Sequence, residues 1–162
     1  MITITTFDAK LQEAVIGLIL GVENDEFGFS LSLADQPDLR DIQHSYLHTG
    51  GQFWVALDGS KVVGTAALHN LGNGDLALRK MFVMREFRGG QPSLAQRLLD
   101  EAFQWARTRG FKRIFLDTSS KFAAAIRLYE RNGFVEIGLH QLPTGFPVFP
   151  VAEHFYMRRL EA

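Results

Sequence analysis

Leu78-Arg79-Lys80-Met81-Phe82-Val83-Met84-Arg85-Glu86-Phe87-Arg88-Gly89-Gly90-Gln91-Pro92-Ser93-Leu94-Ala95-Gln96-Arg97-Leu98-Leu99-Asp100 is the stretch that decides the fold. It opens as a strand and passes through a loop of small residues. It then enters a helix whose apolar positions Leu94, Leu98, Ala102 and Trp105-Ala106 recur at helical spacing. Gly110 stops that helix, and residues 113–117, Arg-Ile-Phe-Leu-Asp, read as another strand. Strand, loop, helix and strand in that order close as a right-handed parallel crossover.

Working outward, residues 53–57 and 61–69 are apolar strands joined by the hairpin signal Asp58-Gly59, and residues 75–84 form a third strand. The three predict an antiparallel meander. Upstream, residues 2–5 alternate Ile and Thr as a strand. Asp8 predicts an N-cap for a helix ending near Gly21, with Leu11, Val15, Leu18 and Ile19 on one face. Residues 22–34 read as a loop, and Pro37 opens a second helix that runs to about His48. Downstream, Ser119 or Ser120 is expected to cap a helix through Arg131, closed by Asn132-Gly133. Strands at 134–137 and 154–160 flank a Pro- and Phe-rich loop at 142–151. The predicted order β-α-α-β-β-β-α-β-α-β-β implies a mixed α/β sheet with helices on both faces.

Composition narrows the function. The chain has 162 residues, suited to one domain over 1–162, and a hydrophobic fraction of 46% that supports a core. A net charge of -1 gives no basic excess for nucleic acid. Without cysteine there are no disulfides, no thiolate metal sites and no covalent Cys nucleophile; a cytoplasmic setting is expected. Residues 1–8 lack a charged region before an apolar run, so no signal peptide is expected, and the apolar run at 14–22 is too short to span a bilayer, so no membrane partner is expected. The five histidines, of which His44 and His48 share a helix face, lack zinc-ligand spacing with thiols or a His-Glu motif, so no metal is expected. An edge-to-edge homodimer is compatible with the open sheet.

The segment from Leu78 to Asp100 resembles the strand, loop and helix that hold coenzyme A in Gcn5-related N-acetyltransferases (GNAT). Ala125-Ile126-Arg127-Leu128-Tyr129-Glu130-Arg131-Asn132-Gly133-Phe134 is similar to that family's second signature, a Tyr-bearing helix ending in Gly-Phe. The resemblance covers residues 50–137 and implies the acyl-CoA N-acyltransferase fold. There are departures. The loop from Arg88 to Ala95 is two residues longer than the usual Arg/Gln-x-x-Gly-x-Gly/Ala. Phe122 replaces a frequent Asn, and Ala77 stands near the position of a frequent strand Glu.

The resemblance implies an N-acetyltransferase moving acetyl from acetyl-CoA to a primary amine of a small molecule or peptide. The absence of cysteine favours direct transfer in a ternary complex. Gly89, Gly90, Ser93, Leu94, Ala95 and Gln96 are placed to offer backbone donors to the pyrophosphate, with Arg88 at the rim. Met81, Phe82 and Val83 are expected to line the pantetheine, and Tyr129 to assist the departing sulfur. For the base the candidates are Glu23, Asp25, Glu26, His69, Asp75, Glu153 and His154; Glu26 leads because Phe27 and Phe29 lie beside it. Phe29 and Phe146 are the expected acceptor contacts. Two other readings are a coenzyme-binding regulatory module without catalysis and a domain that binds no coenzyme.

Overall fold

The computed structural model describes residues 1–161. Seven strands form one sheet in the order β1-β2-β3-β4-β5-β7-β6: β1 (Ile2–Thr6), β2 (Gln52–Asp58), β3 (Lys61–Gly72), β4 (Asp75–Val83), β5 (Arg113–Thr118), β6 (Val135–Ile137) and β7 (His154–Arg159). Only β4 and β5 pair in parallel, joined by α2 (Leu94–Thr108); the other neighbours are antiparallel. The mixed α/β sheet, the meander and the crossover are therefore as read from the sequence.

Period-two alternation divides the sheet's faces. On one face Trp54, Ala56, Val63 and Leu68 pack under Leu98, Leu99 and Ala102 of α2 and under Leu128 and Tyr129 of α3 (Ala123–Arg131). On the other, Phe53, Val55 and Ala67 meet Val15, Leu18 and Ile19 of α1 (Gln12–Leu20). Among the described residues no helix is long and apolar enough to cross a membrane.

Three local expectations need correction. The α-helix ends at Leu20 with Gly21 as its C-cap, as expected, but Gly21 does not stop the helical winding. Its backbone is right-handed, at φ -62°, and the chain continues through a π-helical turn, Gly21–Glu26, until Gly28 adopts φ +74°. The left-handed glycine that closes the helical run is Gly28, seven positions after Gly21 (28 − 21). Residues 37–48 are helical but not one α-helix; they form a 3-10 turn, Pro37–Asp41, and a π turn, Gln43–Leu47. The Gln12 amide inserts there, donating to the Leu39 and Arg40 carbonyls and accepting from the Ile42 N–H, and so interrupts the helical ladder.

Ser119 and Ser120 do not cap α3, which begins at Ala123 with no side-chain cap bond. Instead Ser119 Oγ and the Ser120 N–H both donate to Glu153 Oε1 at 3.0 Å, tying this turn to the entry of β7. The first N–H groups of α3 are thereby left for whatever lies in front of them.

Candidate functional site

β4 and β5 begin side by side and then part. Asp75, Leu76 and Ala77 pair with Arg113, Ile114 and Phe115, but no pair is registered beyond them, although both strands continue. The divergence starts at a bulge. Thr65 and Ala67 on β3 oppose Phe82 and Arg79 on β4, and Lys80 takes φ +54°. An extra residue in one strand bends it and increases its twist, which swings the end of β4 away from β5. From Leu78 to Val83 the β5-facing edge of β4 has no strand partner.

Three cavities meet at this opening. A cleft of ≈ 340 Å³ lies between Met81, Phe82 and Val83 of β4, the loop before α2, and the start of α3. A chamber of ≈ 60 Å³ sits in the fork itself, lined by Arg79, Lys80, Asp117 and Tyr129 among others. A third cavity, ≈ 400 Å³, is lined by Asp38, Tyr46, His69, Arg79 and Phe149. The chamber shares Met81 and Phe122 with the cleft, and Arg79 and Phe149 with the third cavity. It thus lies between the two larger spaces, sharing a wall with each.

The cleft gathers most of the residues expected to hold coenzyme. Met81, Phe82, Val83, Arg88, Gly89, Ser93, Leu94 and Ala95 line it; Gly90 and Gln96 do not. The Gln96 N–H is engaged by Ser93 Oγ at 3.1 Å, the N-cap bond of α2, so the backbone donors left at that terminus are those of the residues before it. Ala123, Ala124 and Ala125 bring the uncapped start of α3 to the same cleft, and Lys121 and Arg131 add cations to its wall. Two helix N-termini, a partnerless strand edge and an apolar floor suit a long ligand with an anionic end and a pantetheine-like amide chain. The residues present fit coenzyme A.

Tyr129 is buried and faces the chamber. Burial, with the nearby Asp117 carboxylate adding to it, raises its phenol well above the ordinary value, so it holds its proton at neutral pH. Asp117 has a side chain only 4% exposed. Burial raises its carboxyl above the usual carboxylate range, partly opposed by the Arg79 guanidinium at 3.4 Å and the Phe149 N–H. Beside it Lys80 is buried, donates to Gln36 Oε1 at 2.6 Å and lies 3.5 Å from Asp38. Gln36 in turn donates to Glu23 Oε1 at 2.7 Å, and the other Glu23 oxygen is buried without a partner. Arg79, Lys80 and Asp117 were missed as site residues in the sequence reading, whereas Phe149 belongs to the Phe-rich loop at 142–151 singled out there. A signal existed: Asp117 and Lys80 are charged residues inside runs of buried apolar strand residues, a pattern that rarely arises without a role.

The remaining candidates are dispersed. Glu26 lines none of these three cavities; its carboxylate makes a two-pronged pair with Arg88. Phe29 stands behind the cleft wall, 5.6 Å from the Phe122 ring and beneath the Lys121 ammonium. Phe146 packs in the core with Ala77 and Phe115, while its neighbour Phe149 reaches the chamber. Of the other candidate bases, His69 faces the third cavity, whereas Asp75 pairs with Arg113 and His154 with Glu136. Asp25 lines none of the three.

Comparison with known proteins points one way. The family model described as "Acetyltransferase (GNAT) family" matches residues 18–134. N-acetyltransferase family 8 member 2 of Rattus norvegicus is 36% identical over 108 residues, covering 64% of this chain and 47% of that protein. The chain thus spans about half the length of such curated relatives. A GNAT-family acetyltransferase from Staphylococcus aureus Mu50 superposes with a TM-score of 0.95 at 37% identity, covering 99% of this chain and 100% of that one. The PaiA N-acetyltransferase of Thermoplasma acidophilum, solved in complex with coenzyme A, shares the fold with a TM-score of 0.74 at 15% identity, over 98% of this chain and 99% of that one.

Proposed function

The chain belongs to the GNAT acetyltransferase family, and from that premise we propose that residues 1–162 act as one N-acetyltransferase domain. It moves an acetyl group from acetyl-coenzyme A in the cleft to a primary amine seated in the cavity beside Asp38 and His69. The observation that carries this reading is the chamber in the β4–β5 fork, which lies between the two cavities and has both Asp117 and Tyr129 in its lining.

Acetyl-coenzyme A supplies the thioester carbonyl and the sulfur that leaves. The protein's part is to position, to receive one proton and to donate to the sulfur. The free edge of β4 offers backbone N–H groups to the carbonyl oxygen, a preorganised donor set for the charge that develops there. An alkyl ammonium has a pKa of about 10.4 and must lose a proton to attack. Asp117 is the base in this reading. Its raised pKa brings its basicity closer to that of the amine, while the adjoining cations Arg79 and Lys80 lower the amine's own pKa. Glu26, the leading candidate from sequence, is held by Arg88 and faces none of the three cavities.

At the other end of the reaction the thiolate leaves with a pKa of about 8.5. The Tyr129 phenol holds its proton more tightly than that thiolate attracts it, so its main effect is a charge-assisted hydrogen bond to the sulfur. Both atoms that change charge thus face groups of the chamber. A regulatory module without catalysis has no use for a buried carboxylate and phenol there, and Ala77, near the position where the family often has Glu, is buried core.

The test is a panel of amines offered with acetyl-coenzyme A while thiol release is followed, with the acetylated product identified by mass. Thiol release that depends on one class of amine is expected. Coenzyme binding without transfer to any amine would favour the regulatory module instead.

A further inference from the structure

The loop arginine expected to meet the phosphates is already engaged. Arg88 Nε donates to the Val83 carbonyl at 3.0 Å, and its two terminal nitrogens donate to the two oxygens of Glu26, the Nη2–Oε1 bond at 2.7 Å. Its guanidinium lies over the Phe27 ring, 5.8 Å from the centroid. A two-pronged pair of this kind is geometrically matched. To take a phosphate in the same plane, Arg88 would have to release a carboxylate. The cleft has other cations, Lys121 and Arg131, and two helix N-termini for that task.

Glu26 closes the π-helical turn Gly21–Glu26, and this turn is pinned at two points. Near its start, Val22 lines the cleft, while Glu23 is held through Gln36 to Lys80 at the β4 bulge. At its end, Glu26 is held by Arg88 to the end of β4 through Val83. Gln36, fixed by the first pin, lines the cavity assigned to the acceptor, and Asp38 follows it. The turn therefore spans from the coenzyme strand to the acceptor wall.

We propose that Arg88 and Glu26 are a positioning pair that holds the acceptor-side turn against β4, so that Arg88 serves acceptor binding through Glu26 instead of binding the coenzyme phosphates. The proposal rests on the functional reading above for the identity of the two cavities. The pair is partly exposed, with side-chain exposures of 36% and 21%, so solvent screens it and a modest effect is expected.

Four proteins decide the matter: Arg88→Ala, Glu26→Gln, the double variant, and the charge exchange Arg88→Glu with Glu26→Arg. Calorimetry with coenzyme A gives the coenzyme affinity. Steady-state kinetics with an amine that the parent acetylates give the acceptor KM, and hydrogen exchange in the free protein reports on residues 21–29. Each single variant should raise the acceptor KM by about three- to tenfold and speed exchange in residues 21–29. Coenzyme affinity should stay within about threefold, and the double variant should be no worse than the worse single one. The charge exchange should recover part of the loss. Arg88→Ala weakening coenzyme A tenfold or more, with Glu26→Gln neutral or tighter, would assign Arg88 to the phosphates and overturn the proposal. Unchanged acceptor KM with transfer intact overturns it alone; absence of transfer from the parent to any amine, with coenzyme bound, overturns the functional reading along with it.

Discussion

Asp117→Asn is expected to lower turnover by about a hundredfold or more, the usual range for losing a positioned base. Asn keeps the shape and an oxygen that accepts from the Phe149 N–H but loses the pairing with Arg79, so coenzyme affinity and melting temperature are measured beside turnover to separate the lost base from a disturbed chamber. The amide cannot take the amine's proton. The pH dependence gives the sharper signature. Burial raises the Asp117 carboxyl, and the carboxylate form is the one that accepts. In the parent, activity should therefore rise with pH through that elevated pKa and fall as the group protonates below it. In Asp117→Asn that acid limb should vanish, leaving only the rise due to the amine itself, whose pKa is about 10.4 in water. Measuring kcat/KM against pH for both proteins checks this. An acid limb that persists unchanged in the variant would move the base elsewhere, with the half-orphaned Glu23 carboxyl the next group to test.

Tyr129→Phe should lower kcat by about tenfold to a hundredfold, the worth of one hydrogen bond to a charged group at the transition state. Coenzyme affinity should barely change, because the ring still packs against Phe134 and the hydroxyl matters only as charge builds on sulfur. Single-turnover rates with saturating acetyl-coenzyme A separate chemistry from product release. An unaltered single-turnover rate would leave Tyr129 a packing residue. A loss of coenzyme binding equal to the loss of turnover would mean the hydroxyl acts in the ground state.

The parts of the molecule legible in the sequence are those set by local rules. The meander follows from alternation and the Asp58-Gly59 turn, and the crossover from a strand, a small-residue loop and an amphipathic helix in series. Elements shaped by distant groups were not legible. Gln12 breaks the helical ladder of residues 37–48 from well upstream in the chain, and no local propensity encodes that. Glu153, at the entry of the neighbouring strand β7 but over thirty positions on in the chain, accepts from Ser119 Oγ and the Ser120 N–H, and so holds this turn away from the start of α3. At the site, Met81 to Val83, Arg88, Gly89 and Ser93 to Ala95, which line the cleft, were singled out through the resemblance of the strand, small-residue loop and helix to the family's signature. The bulge was not: its left-handed residue is Lys80, and a lysine carries no hint of a positive φ. With the bulge unseen, the fork it opens was unseen, and so was the meeting of Arg79, Lys80 and Asp117 around it. Glu26 and Phe29 stood out by sequence proximity but line none of the three cavities, and in the Phe-rich loop at 142–151 it is Phe149, not Phe146, that reaches the chamber.

The proposed coenzyme site is the cleft between the starts of α2 and α3. Ala95 lines that cleft just inside α2, where a larger side chain would stand over the first free N–H groups. The measurement is calorimetric titration of the parent and of Ala95→Leu with coenzyme A, alongside the thermal shift at saturation. The parent should bind and gain about 2.7 kcal/mol at a hundredfold excess over its dissociation constant, and Ala95→Leu, folded by circular dichroism, should bind at least tenfold more weakly, a difference of about 1.4 kcal/mol; a parent that neither binds coenzyme A nor shifts its melting temperature, or an Ala95→Leu protein that binds it like the parent, would contradict the account.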